Sequence, residues 1–307
     1  MKLGFFSANK SGVKRDLIAF FLVAFVISWS AMFLWHVPAN SPGNKQDQVL
    51  ETFERVSFFY AFGPLLSAAG VSLLSYGPSG MKSLFRPVFK WRVRGVWYAL
   101  ALFLPVVIQW LAVVLCVLWT GEHLKMPSFA SAAKLWLMAT PIISILIILE
   151  ELGWRGFALP RLQSLGKALS ASLILGALWS FWHYPLEAAV EHGYGETAVN
   201  IILSLTVFTV TTILFATLMT WIFNSSGGSL LLMLLMYGSS NANLVNIMGA
   251  RAEGRLFDLP FRISYMIVLL LAVSLVLMKY GAESLSKSGK VVFEPSLKDD
   301  SEAQPLD

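Results

Sequence analysis

Residues 138–161 read MATPIISILIILEELGWRGFALPR. From Met138 to Leu149 the run carries no charge, and Phe157, Ala158 and Leu159 resume it. At about 1.5 Å of rise per residue it is long enough to cross the roughly 30 Å hydrocarbon core of a bilayer. Glu150, Glu151 and Arg155 stand inside it. An ionisable group in such a helix is costly and points inward to protein or to a polar cavity, which makes it a functional candidate. Glu151 and Arg155 are four apart, so they share a helix face and pair. Glu150 is turned about 100° from Glu151 on the same helix. The two carboxylates therefore have different tasks. One is locked to the guanidinium. The other faces a neighbouring helix, where it is placed to work as a general base. The plainer alternative is that all three charges snorkel at the membrane surface.

The rest of the chain agrees with a membrane setting. Of its 307 residues 56% are hydrophobic and 13% charged, and the mean hydropathy is +0.67. Soluble domains are nearer 45–50% apolar and about 25% charged. This excludes an ordinary soluble enzyme, a disordered chain and a nucleic-acid binder gripping through a basic patch. Net charge +5 suits loops lying on anionic lipid and needs no nucleic-acid partner. Cys116 is the sole cysteine, so no internal disulfide forms, and it reads as a small buried hydrophobe.

Eight apolar runs are long enough to span, at about 16–36, 57–76, 95–119, 138–161, 168–187, 198–223, 228–248 and 262–280. The fold class is therefore all-α, a polytopic membrane helix bundle of about eight transmembrane helices, with a kink expected at Pro160. The first run follows Lys10, Lys14 and Arg15 but continues to Trp35 with no small-residue cleavage site, so it reads as a retained helix rather than a signal. With both termini cytoplasmic, the inner segments hold 15 of the 23 lysines and arginines and the outer ones 7, the expected bias. The segmentation is an N-terminal piece over 1–15, a membrane domain over 16–280 and a polar, disordered cytoplasmic tail over 281–307.

Two more spans carry polar groups. His183, in LILGALWSFWHYPL, is the one histidine well inside a span; His36, His123 and His192 fall at span ends or in loops. Alone it would read as a hydrogen-bonded core histidine. In LLLMLLMYGSSNANLVN, Tyr237 and Asn241 share a face, while Ser239, Ser240, Asn243 and Asn246 suit interhelical hydrogen bonds. Depth brings the groups together. Glu150 lies 16 residues before the turn at Gly166 and His183 lies 17 after it, so an antiparallel pair of helices sets them level. Tyr237 and Asn241 lie 11 and 15 residues past a turn at Ser226 on the same side, again at matching depth. One polar site formed by these four groups is the simplest account.

The runs EELGWRGFALPRLQ (150–163), WSFWHYPL (179–186) and NSSGGSLLLMLLMYGSSN (224–241) together resemble the CPBP (Abi) family of intramembrane proteases, which includes the type II CAAX prenyl endopeptidases. The family pattern is EExxxR, FxxxH and HxxxN on successive helices, and the resemblance covers about 134–248. Glu150, Glu151 and Arg155 match the first motif. His183 matches the second, with Trp179 in place of Phe. Asn241 matches the third, with Tyr237 in place of His. The resemblance implies hydrolysis of peptide bonds in membrane-associated substrates. It gives Glu150 and His183 the activation of water, Arg155 the fixing of Glu151, and the third motif either a metal or an oxyanion hole. A neutral tyrosine is a poor zinc ligand but a good hydroxyl donor. Metal-independent catalysis is therefore favoured, since a zinc ion would find only Glu150 and His183, short of the usual three ligands. The implied partners are membrane lipids and a peptide or membrane-tethered protein, with no nucleic acid. The location is a membrane, the plasma membrane if the host is bacterial.

A second reading keeps the fold and drops the chemistry: a membrane scaffold for peptide binding, bacteriocin immunity or regulation. Tyr237 favours it, and the two glutamates kept within a span oppose it. HExxH, a rhomboid-like G-x-S-G, an intramembrane aspartate pair and a Walker motif are all absent from the sequence.

Overall fold

The computed structural model describes residues 10–34, 59–123, 125, 127–193, 195–250 and 258–293. They form an all-α bundle without strands among the described residues. Eight long helices run in order: α1 (Lys10–Leu34), α2 (Phe62–Phe85), α3 (Gly95–Thr120), α4 (Phe129–Leu165), α5 (Ala168–Gly193), α6 (Ala198–Ser225), α7 (Leu230–Ala250) and α8 (Leu259–Tyr280). Each matches one expected span. Five of them, α3, α4, α6, α7 and α8, are long and apolar enough by length and composition to cross a membrane. The protein is an integral membrane protein. The stretch 1–9, Trp35, His36, residues 57–58, the loop with Arg251 and Arg255, and residues 294–307 lie outside the described residues.

The boundaries have local causes. Ser128, Thr197 and Asp258 each cap a helix by accepting a backbone N–H, which satisfies a donor that the first turn leaves open. Gly121 ends α3 at φ 71°, a conformation glycine adopts without strain. In α2 the helix breaks at Gly77 (φ 63°, ψ −154°), just before Pro78, where the apolar run was expected to stop.

Outward faces stay apolar. Leu74 is 89% exposed and Phe129 88%, a surface that would be a liability in water and is ordinary against lipid tails. Burial therefore contributes little to helix association, and close backbone approach takes over. A Cβ at Gly153 would lie 2.5 Å from Pro64 Cβ, one at Gly176 2.6 Å from Ile213 Cα, and one at Gly238 2.1 Å from Ser144 Oγ. These glycines let α4 meet α2, α5 meet α6, and α7 meet α4.

The small polar residues of α7 hold the bundle as the sequence suggested. Ser239 Oγ accepts from Trp136 Nε1 (3.0 Å) and donates to the Leu102 carbonyl (2.6 Å). Gln109 donates to Ser240 Oγ and accepts from Asn243 Nδ2. Asn246 donates to the Ala132 carbonyl.

One expectation needs correction and one needs an addition. Next to Pro160, α4 carries a π-helical turn over Leu152–Ala158 that was not expected. The α-helix restarts at Leu159 with Pro160 in its first turn, where a missing N–H costs nothing. The tail expected to be disordered from residue 281 is docked as far as Phe293. Glu283 and Ala282 carbonyls accept from the N–H groups of Ala168 and Leu169 at the start of α5, and Phe293 N–H donates to the Pro160 carbonyl. Asn224 and Gln163 bond each other and also reach Ser284 and Val291, while Leu285 is fully buried. Composition alone missed this because the strap borrows its partners from helix ends instead of building a core.

Candidate active site

The π-turn sits where α4 leaves its apolar half, and it carries Arg155. Glu151, in the last turn before it, accepts from Arg155 Nη1 at 2.5 Å, and both side chains are completely buried. This is the pair read from the i, i+4 spacing. Arg155 Nε and Nη2 and Glu151 Oε2 make no further hydrogen bond. The guanidinium instead lies over the Trp179 ring, 4.2 Å from its centre. A desolvated cation over an indole gains about 2 kcal/mol.

Trp179 is the hub of the site. It is buried on α5, one turn before His183, whose ring centre is 6.1 Å away. Its edge meets Tyr237 of α7 at 5.2 Å and 89°. Its indole N–H is buried without a hydrogen-bond partner, as is Glu150 Oε2. The sequence treated Trp179 as a minor change of aromatic type; in the structure it touches every motif. The signal was its i, i+4 relation to His183. Tyr237 is within electrostatic reach of Glu150, Glu151 and Arg155, and it interacts with Asn241 one turn further along α7. All six candidate residues thus belong to one cluster or its edge, drawn from α4, α5 and α7.

The level pairing of Glu150 and His183 is indirect. The upper part of α4 packs on α7 and α2, and α4 meets α5 through the π-turn and the segment after it. No hydrogen bond joins Glu150 to His183. Tyr60, at the entry to α2, stands near both: its ring centre is 6.3 Å from that of His183, and Glu150 is within its electrostatic reach. Its hydroxyl is buried without a hydrogen-bond partner. Sequence reading passed over Tyr60, which lies in a run of aromatics, SFFYAF, with nothing to distinguish it. His183 is walled by the rings of Trp182 (4.6 Å) and Phe208 (5.9 Å). One turn on, Glu187 joins Glu191 on Arg262 of α8, each at 3.0 Å.

Burial divides the cluster in two. Glu151, Arg155 and Trp179 are buried throughout, whereas Glu150, His183, Tyr237 and Asn241 each keep some exposed surface, although Glu150 Oε2 itself is buried without a hydrogen-bond partner. The three locked groups support the other four. A proton acceptor, an imidazole and two neutral donors in that arrangement suit attack of water on a carbonyl, with the developing oxyanion held by hydrogen bonds. A zinc centre fits poorly. Among the described residues no three His, Cys, Asp or Glu side chains gather closely enough to hold a metal ion, and Tyr237 stands where a third ligand would be sought.

Comparison with known proteins adds to this geometry. Residues 131–243 match the family model "Type II CAAX prenyl endopeptidase Rce1-like". The chain is also similar to "CAAX prenyl protease 2" of Methanococcus maripaludis, 45% identical over 49 residues, which are 15% of this chain and 18% of that protein. The chain therefore spans under a fifth of that relative's length. Both findings support a CAAX-protease-like family of membrane proteases.

Proposed function

We propose that this protein is an intramembrane endopeptidase that hydrolyses a peptide bond in a membrane-tethered protein or peptide. The observation that carries the proposal is the clustering of Glu150, His183, Tyr237 and Asn241 about a buried Glu151–Arg155–Trp179 support. Glu150 takes the proton of a water molecule as its oxygen attacks the scissile carbonyl carbon. Tyr237 and Asn241 donate hydrogen bonds to the carbonyl oxygen as it becomes an oxyanion. His183 assists Glu150 in activating the water, and the proton that Glu150 has taken passes to the departing amine. Arg155 acts through Glu151, fixing the backbone register at which Glu150 is presented. No step runs through a metal. The substrate class follows from the site's position in apolar helices and from the printed name of the similar archaeal protein. A prenylated C-terminal peptide is the first substrate to try. Both termini are placed in the cytoplasm by the loop-charge bias, and in a bacterial host the membrane is the plasma membrane.

The test is cleavage, in reconstituted liposomes, of a mixed set of membrane-tethered peptides by wild type and Glu150→Gln. Products formed by wild type and absent with the variant support the proposal. Equal product formation by both refutes Glu150 as the base.

Tyr237 is the specific feature favouring a scaffold without catalysis. Tyr237→His separates the readings. A large gain in cleavage marks a site that has lost its activity, and a loss marks a site adapted to tyrosine.

A further inference from the structure

The turn between α2 and α3 is basic and aromatic. It runs RPVFKWRVR over 86–94, with Lys82 just before it, and the sequence has no acidic residue between Arg55 and Glu122. Arg86–Phe89 form a short 3-10 turn, after which the chain is irregular until α3 begins. Phe89 is 75% exposed and Trp91 60%. The Arg92 guanidinium lies over the Trp91 ring at 5.0 Å.

A cavity of about 480 Å³ opens beside this turn. Ser83, Arg86 and Lys90 line one side, and Gly227, Gly228 and Val291 line another. Among the described residues no carboxylate lines it. Apart from Gly156 and Pro160 of α4, the lining comes from helix ends, turns and the strap after α8. Its shape rests on backbone freedom. Gly227 and Gly228 have φ of 68° and 90°, and a Cβ at Gly227 would come within 2.9 Å of Lys90 Nζ. Lys90 donates to the Gly227 carbonyl and keeps further N–H groups for a ligand. Arg86 has no ion pair among the described residues, although its fork suits two phosphate oxygens at once.

We propose that this cavity binds the phosphate-bearing headgroup of an anionic phospholipid. Two cations and a hydroxyl line it with no opposing acid among the described residues, which is the complement of a phosphodiester. Phe89 and Trp91 sit exposed beside them, as aromatics do at the level of lipid headgroups. A headgroup in the cavity leaves its acyl chains to run past Phe89 into the bilayer. Gly156, next in sequence to Arg155, also lines the cavity, so the bound lipid touches the same π-turn that carries the buried ion pair.

Native mass spectrometry of the full chain in nonionic detergent tests this, with dioleoyl phosphatidylglycerol, dioleoyl phosphatidylcholine and sodium phosphate added separately. The expected result is one phosphatidylglycerol bound at least tenfold more tightly than phosphatidylcholine. Arg86→Gln, alone and with Lys90→Gln, lowers that affinity at least tenfold. A matched pair outside the cavity at the same end, Lys167→Gln with Lys287→Gln, leaves it unchanged. Arg86→Gln breaks no hydrogen bond within the described residues, so its thermal unfolding matches wild type and a loss of lipid reads as loss of the site. Equal binding of the two lipids overturns the proposal. So does equal weakening by the matched pair, which marks general surface charge. Displacement of phosphatidylglycerol by millimolar free phosphate also overturns it, marking a site for the soluble ion.

Discussion

Replacing Arg155 by methionine isolates the energetics of the buried pair. Methionine keeps an unbranched stem of similar reach, so little packing is lost. What disappears is the partner of Glu151, at 2.5 Å and fully shielded from solvent, together with the cation over Trp179. Removing one member of a buried pair costs about 3–5 kcal/mol, because the other charge is left uncompensated. The desolvated cation–π contact adds about 2 kcal/mol. The total expected loss is about 5–7 kcal/mol. The double variant Glu151→Gln, Arg155→Met carries no buried charge, and replacement of such pairs by neutral groups is often close to neutral. It should recover at least about 3 kcal/mol of the loss, a coupling well outside what independent sites show. Equilibrium unfolding in mixed micelles, titrated with denaturing detergent, measures all four corners of the cycle. Cleavage by the double variant should stay absent even as stability returns, because the register of Glu150 still depends on its neighbour. A single variant within about 1 kcal/mol of wild type, or a double variant as unstable as the single, would refute the argument.

Three further outcomes follow from the same geometry. Tyr237→Phe removes one oxyanion donor and should lower the rate by about 10²–10³ with substrate binding unchanged, so a variant above a tenth of wild-type rate contradicts the role. Cleavage should proceed unchanged in 1,10-phenanthroline, and activity abolished by the chelator and restored by zinc would overturn the metal-independent route. Gly176→Leu forces a side chain into the space held by the Ile213 backbone, and by overpacking should cost about 1–3 kcal/mol in the same micelle assay, with no loss at all being the contrary result.

Helix number and placement were legible because a bilayer imposes a length rule on every span. The Glu151–Arg155 pair was legible because i, i+4 neighbours on one helix need no tertiary information. The roles of Ser239, Ser240, Asn243 and Asn246 were legible for the reason that small polar groups in lipid must find partners. Three features were not. Counting residues from Gly166 put Glu150 and His183 at one level but could not say that α4 turns its upper half to α7 and α2, which leaves Tyr60 near both residues. The π-turn at Leu152–Ala158 was hidden because one inserted residue leaves no mark in composition. The order of 281–293 was hidden because its hydrogen bonds go to Gln163, Asn224 and the first turn of α5, groups remote in sequence.

That strap also bears on how the protein is made. Residues 281–293 leave the ribosome after every helix of the bundle. Their partners, Pro160, Gln163, Ala168, Leu169 and Asn224, are all made earlier in the chain. The ends of α4, α5 and α6 nearest the Gly166 turn therefore wait unfastened through insertion and are joined in a post-insertion step. Quality control of the nascent chain would meet those ends open, and a chain that stalls at Tyr280 would present a complete set of helices with the last latch missing.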